Sequence, residues 1–238
     1  QSIIFLVNCY DKDVLDVKIL DYCLFISFFP QLVAGPIVKY KDMIPQFNND
    51  SLSKFKSPIF YLGFTILLIG FIKKTIFADT LGTFVDQSFA DTKNINFLTS
   101  WLASFSFTFQ IYFDFSGYVD MALGISKILS INLPINFNKP YLSCSLTEFW
   151  RNWHITLSKW FRDYIYIPLG GSKSEKKKIF FNLIITMSIA GFWHGASLNF
   201  VLWGFLNGLL LYVEKKISKY FRLKNSIKIF ITIFIVFN

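Results

Sequence analysis

The stretch Ile179-Phe-Phe-Asn-Leu-Ile-Ile-Thr-Met-Ser-Ile-Ala-Gly-Phe-Trp-His194-Gly-Ala-Ser197, followed at once by the apolar run Leu198–Val213, decides the fold. Each apolar run approaches the length a bilayer-spanning helix needs. On one flank, Lys173 to Lys178 supplies four lysines against one glutamate; on the other, Lys215 to Lys228 supplies five lysines and Arg222 with no acid. Basic flanks mark the cytoplasmic side of a membrane, so a helical hairpin turning near Gly195 is expected, with both ends on that side. His194 lies sixteen residues beyond Lys178, about 24 Å along a straight helix. That places it deep or past the midplane, and the count leaves open which.

Composition extends the same reading to the whole chain. Of 238 residues, 53% are apolar and 16% charged, and the mean hydropathy is +0.46; a soluble domain carries about 25% charge. We therefore expect an all-α, multi-pass integral membrane protein, a helical bundle forming a single membrane domain over residues 1–238. Gln1 is not an initiator and the chain stops at Asn238 inside an apolar run, so an internal fragment of a longer protein is expected. The net charge of +9 sits in short clusters between apolar runs, which fits membrane orientation and argues against nucleic acid as a partner. Cys9, Cys23 and Cys144 are odd in number and lack metal-type neighbours, which supports neither a disulfide framework nor a zinc site.

Further spans are expected toward the N-terminus. Ile19 to Val38 is interrupted by Pro30 and Gly35-Pro36, which favour a broken helix. Lys39 to Lys56 reads as an aqueous loop. Ile59 to Ile72 is a short span whose neighbours Lys73 and Lys74 can snorkel to the interface. Phe97 to Phe113 runs on into Asp114 and Asp120, two acids that are costly in such a setting unless paired or hydrated. Gly117 and Gly124 permit a close helix approach or a break, and Asn132 to Pro140 is a loop.

A different pattern begins at Ser145-Leu-Thr-Glu148, a capping box that marks a helix start. If Glu148 to Tyr164 is one helix, Arg151, His154, Ser158 and Arg162 share a face. With Trp150, Trp153, Trp160 and Phe161 in the same segment, that helix is amphipathic and suits an interface or a cavity wall. Pro168 and Gly170-Gly171 end it.

The chain has two histidines, His154 and His194. An ionisable residue inside apolar membrane sequence is a functional candidate by default. A neutral imidazole at His194 suits removal of a proton from a hydroxyl, and Gly191 and Gly195 on either side leave room for a substrate. The plain alternative is a histidine packed among aromatics with its nitrogens satisfied by backbone. For His154 that alternative weighs as much as function. Arg151 and Arg162 either bind a phosphate or carboxylate or neutralise Asp114, Asp120 or Asp163, and pairing within the fold is favoured. No Gly-rich phosphate loop, His/Cys/Asp metal constellation or Gly-x-Ser-x-Gly elbow is present.

Five motifs occur in order: Gly35-Pro-Ile-Val-Lys-Tyr40, Tyr112-Phe-Asp-Phe-Ser-Gly-Tyr-Val-Asp120-Met-Ala, Phe149-Trp-Arg-Asn-Trp-His154-Ile-Thr-Leu-Ser-Lys-Trp-Phe-Arg-Asp-Tyr164, Ile167-Pro-Leu-Gly-Gly171 and Gly191-Phe-Trp-His-Gly-Ala-Ser197. Together, from about Gln31 to Glu214, they resemble the membrane-bound O-acyltransferase family, and most of all its bacterial alginate O-acetyltransferase branch. The resemblance implies a helical membrane enzyme with a central funnel or tunnel, moving an acyl group from a thioester onto a hydroxyl. It implies that His194 is the principal catalytic histidine and that His154 occupies a second active-site position, held by histidine or asparagine. Arg151, Trp150, Trp153, Ser158, Arg162, Trp193 and Asp114 are the expected supporting or substrate-binding residues. Asn152 departs from the branch, which has a second basic residue there, so a double-arginine contact is in doubt.

By the same resemblance no cofactor is resident, and acetyl-CoA or another acyl thioester is the co-substrate. The acceptor is an extracytoplasmic polysaccharide, alginate-like or peptidoglycan, and the partners are a periplasmic acetyltransferase and membrane lipid. The setting is the bacterial cytoplasmic membrane. Teichoic-acid D-alanyl transfer ranks behind, being less well matched at Ile167-Pro-Leu-Gly-Gly171. From another class, a transporter using His194, Asp114 and Asp120 as a proton pathway accounts for the isolated charges but not for the motifs.

Overall fold

The computed structural model describes residues 1–14, 16–49, 56–91 and 95–217, with positions 225, 228, 229 and 232 beyond. Ten α-helices occur among the described residues, joined by short 3-10 and π turns, and no strand is found among them. They are α1 (Ser2–Tyr10), α2 (Ile19–Ser27), α3 (Tyr40–Phe47), α4 (Ser57–Ile72), α5 (Asp79–Ala90), α6 (Phe97–Ile128), α7 (Leu146–Asn152), α8 (Ile155–Phe161), α9 (Lys176–His194) and α10 (Leu198–Ile217). The chain divides into two compact units, Gln1–Asn136 and Phe137–Asn238. Most of the basic segment Lys215 to Lys228 lies outside the described residues, as do residues 50–55 of the expected Lys39–Lys56 loop.

In the first unit, α2 stops before Pro30 as expected, and a 3-10 turn Phe29–Gln31 carries that proline. Tyr40–Phe47 is helical rather than loop. The reason is packing: Tyr40 and Met43, three residues apart, are buried on one face with Phe25, Phe28 and Val38. The Gln46 side chain then ties this helix to the chain leaving α6, donating to the Asn132 carbonyl at 3.2 Å and accepting the Asn132 N–H at 2.8 Å.

The second difference concerns Lys73 and Lys74. The sequence predicts that they end a span, but the helix continues through a π turn at Lys73–Ala78 into α5. Ser57–Ala90 is thus one 34-residue helix, and among the described residues it is the one long and apolar enough to cross a membrane. Its apolar side chains face outward, Tyr61 67% and Phe71 54% exposed, as a lipid-facing surface requires. The lysines have no need to snorkel because acids meet them. Lys73 pairs with Asp120 at 2.6 Å, and Lys74 bridges Asp79 at 2.9 Å and Asp114 at 2.5 Å.

Asp114 and Asp120 lie on α6, which starts at an Asn96 cap accepting the Thr99 N–H at 2.9 Å and runs for 32 residues. Its glycines serve approach, not a break. A Cβ on Gly117 would stand 2.8 Å from the Gly70 carbonyl oxygen, and one on Gly124 2.7 Å from that of Gly63. Two glycine pairs one heptad apart therefore set the backbones of α4 and α6 against each other, the small-residue packing favoured where no water drives helices together.

In the second unit, α9 and α10 form the expected hairpin, turning at Gly195. Their polar side chains are satisfied internally: Thr186 donates to the Asn182 carbonyl at 2.6 Å, and Asn207 to that of Trp203 at 3.0 Å. Close contact again depends on glycine, since a Cβ on Gly204 would lie 2.1 Å from the Met187 carbonyl oxygen.

Candidate active site

The capping box starts α7 as the sequence predicts. Ser145 accepts the Glu148 N–H at 3.0 Å, while the Glu148 carboxylate reaches one residue further back than the standard box, to the Cys144 N–H at 2.7 Å. Two more amides of this helix end, those of Leu146 and Thr147, donate to the carboxylate of Glu214 from α10 at 2.6 and 3.0 Å.

The helix does not run on to Tyr164. It breaks between Trp153, in an extended conformation, and His154, whose φ of 41° and ψ of 56° are left-handed, and α8 then begins with His154 as its N-cap residue. The shared face of Arg151, His154, Ser158 and Arg162 therefore does not form. The Ser158 hydroxyl is used at the break, donating to the Trp153 carbonyl at 3.1 Å. Arg162 pairs with its neighbour Asp163 at 2.8 Å, and Arg151 is exposed. Asn152, where a basic residue was expected, donates to Ser143 at 3.1 Å and stitches α7 to the preceding loop.

The break turns His154 inward. It is 8% exposed, and its ring meets that of Trp193 edge to face with centroids 6.4 Å apart. Trp193 and His194 are the last residues of α9, and both are exposed. Around His194 stand Trp203 edge-on at 5.5 Å and Phe200 at 6.3 Å, both from α10. Trp150 closes the circuit, packing on Trp203 at 5.7 Å. Two histidines forty residues apart thus occupy one aromatic neighbourhood built by α7, α9 and α10.

His154 lies outside the long helices, and its basicity is altered. Burial first, and then the nearby His194, lower its pKa from 6.5 to about 4. It is neutral near pH 7, with one N–H to donate and one lone pair to accept.

Not every expected residue joins this neighbourhood. Trp153 faces the other way, stacking on Phe149 at 5.6 Å and meeting Phe137 at 5.0 Å. Asp114 belongs to the first unit, on Lys74. Gly191 and Gly195 do not leave room for a substrate: a Cβ on Gly191 would fall on the Phe200 carbonyl oxygen at 2.0 Å, and one on Gly195 on the Phe200 ring at 2.7 Å. They are there so that α10 can approach. Sequence reasoning missed Phe200, Trp203 and Glu214. The signal for the first two was their three-residue spacing, which puts both rings on the face of α10 that turns back toward His194.

Among the described residues there is one helix long and apolar enough to cross a membrane, and in the second unit two histidines share an aromatic-walled neighbourhood. The comparison with known sequences names the group: the chain belongs to the MBOAT, or membrane-bound O-acyltransferase, family, whose model matches residues 6–238. It is 47% identical over 84% of its length to the peptidoglycan O-acetyltransferase of Helicobacter pylori, covering 38% of that protein. It is 40% identical over 92% of its length to the probable alginate O-acetylase of Pseudomonas aeruginosa, covering 41%. The teichoic acid D-alanyltransferase of Bacillus subtilis is more distant, 29% identical over 82% of the chain and 52% of that protein. The chain spans about two-fifths of the length of the first two relatives.

Proposed function

We propose that this chain carries the histidine site of a bacterial, multi-pass cytoplasmic-membrane O-acetyltransferase, which moves an acetyl group from acetyl-CoA or another thioester to a hydroxyl of an extracytoplasmic polysaccharide. The observation that carries the reading is the convergence of His154 and His194 on Trp193. Family membership and the relatives named for O-acetylation support the reaction class.

In this mechanism an imidazole nitrogen of His194 accepts the acceptor hydroxyl's proton as the oxygen attacks the thioester carbonyl. The tetrahedral intermediate collapses, the carbon–sulfur bond breaks, and the proton on His194 passes to the departing thiolate. Neutral His154 donates its N–H to the oxyanion. The aromatic walls hold the reactants in low polarity, where such hydrogen bonds are strongest.

Peptidoglycan and alginate-like glycans are the proposed acceptors, and a periplasmic acetyltransferase the proposed partner that receives the acyl group where transfer is relayed. The deciding experiment uses membranes holding matched amounts of wild type and His194→Ala, supplied with labelled acetyl-CoA. Acetyl transfer to glycan should fall by about 10²–10⁴-fold, the span of general acid–base catalysis. Near-normal transfer by the variant would remove His194 from the chemistry. D-alanine on the glycan in place of acetyl would move the protein to the teichoic-acid branch.

A further inference from the structure

The Glu214 carboxylate clasps the start of α7 at three points: the Leu146 N–H at 2.6 Å, the Thr147 N–H at 3.0 Å and the Thr147 hydroxyl at 2.8 Å. The capping box already supplies an acceptor for the Glu148 amide, so between them Ser145 and Glu214 satisfy the first three amides of a seven-residue helix. A helix this short has little stability of its own. Its position is set by the buried Phe149 ring and by what holds its ends.

Those ends matter because α7 leads into His154 while α10 carries rings against His194. The α10 end near Phe200 and Trp203 lies against His194, whereas Glu214 is eleven residues further along the same helix, about 16 Å at the α-helical rise. From the clasped end, α7 delivers Trp150 onto Trp203 and then, through the left-handed turn, His154 onto Trp193. Among the described residues, this clasp and the Trp150–Trp203 contact are what join α7 to α10.

We infer that Glu214 is a positioning residue: its carboxylate fixes α7 to α10, and so sets His154 at its working distance from His194. It touches neither histidine. The inference rests on the transferase reading only for its kinetic consequence, not for the geometry.

The test is made on the full-length protein in detergent or membranes, with Glu214→Gln and Thr147→Val. Diethyl pyrocarbonate modification, mapped by mass spectrometry at each histidine, reads the geometry directly, because His154 is buried and His194 exposed. In wild type His154 should react far more slowly than His194. In Glu214→Gln its rate should rise by about tenfold, the size expected when a charge-assisted hydrogen bond is lost, while the His194 rate stays the same. Thr147→Val, which removes one of three contacts, should give a smaller rise and serves if the first variant does not fold. Acetyl-transfer kcat should fall in parallel, by about ten- to a hundredfold for a misplaced group, with the KM for the thioester unchanged. Unaltered protection of His154 in a folded variant overturns the inference, and so does a loss of activity that lies wholly in KM. If wild type transfers no acetyl at all, the functional reading fails while the protection measurement still decides the role of Glu214.

Discussion

The Trp203 indole stands edge-on to the His194 imidazole, their ring centroids 5.5 Å apart, and its own flank is covered by Trp150 at 5.7 Å. His194 occupies the last position of α9, and this indole restrains its ring together with Trp193 and Phe200, at 5.0 and 6.3 Å. An aromatic pair contributes about 0.5–1.5 kcal/mol beyond its buried area. Trp203→Ala is therefore expected to lower acetyl-transfer kcat about three- to tenfold, with Trp203→Phe close to wild type. Parallel assays in membranes at matched protein levels check this; equal activity in all three would show that the ring needs no such wall.

The depressed pKa of His154 makes stability depend on pH. Above 6.5 the imidazole is neutral whether the protein is folded or not; as pH falls from 6.5 toward 4, the unfolded chain takes up a proton that the folded one refuses. Stability is thus lost on acidification through this window, by about 2 kcal/mol at pH 5. Thermal unfolding in detergent at pH 7 and pH 5 should show a larger drop for wild type than for His154→Asn, and equal drops would contradict the burial described.

Helix glycines in the two units differ sharply in what surrounds them. Gly204→Ala would drive a methyl group onto the Met187 carbonyl, a backbone atom that cannot move aside, whereas Gly82→Ala on α5 would meet only the end of the Gln110 side chain at 2.9 Å. The first should cost about 1–3 kcal/mol or more through overpacking and the second little. Their unfolding midpoints in the same detergent make the comparison.

Lys73 and Asp120 are each 24% exposed and 2.6 Å apart. Removing one partner strands the other charge in apolar surroundings, while removing both does not. Lys73→Met should destabilise by somewhat less than the about 3–5 kcal/mol of a fully buried pair, and the double change Lys73→Met with Asp120→Asn by less than the single one. A double variant no more stable than Lys73→Met would mean the pair contributes nothing as a pair.

The hairpin and the cap at Ser145 were legible in sequence because each depends on residues close along the chain, whereas Gly117 and Gly124 left approach or break open until α4 came alongside. The π turn at Lys73–Ala78 was not, since its lysines looked like the end of a span until Asp114 and Asp120, forty or more residues away, came alongside. The break at His154 was hidden for a related reason. Helical spacing from Glu148 to Tyr164 is intact on paper, and nothing local in Trp153-His154 requires the chain to turn. Glu214 stands next to the basic segment with no local motif to mark it, and its role emerges only when the start of α7 is beside it.

The left-handed backbone at His154 places two demands on one residue. Few side chains with a Cβ tolerate positive φ, and asparagine, aspartate and histidine are the ones enriched there. Fewer still are neutral at pH 7 and carry a hydrogen-bond donor, which leaves histidine and asparagine, the same two that the family resemblance allows. Chain geometry thus favours a short set that includes the pair chemistry wants, so that the residue type at 154 reports on the bend as well as on the reaction. Replacement by alanine or glutamine confounds the two, and only asparagine changes the chemistry while leaving the corner intact.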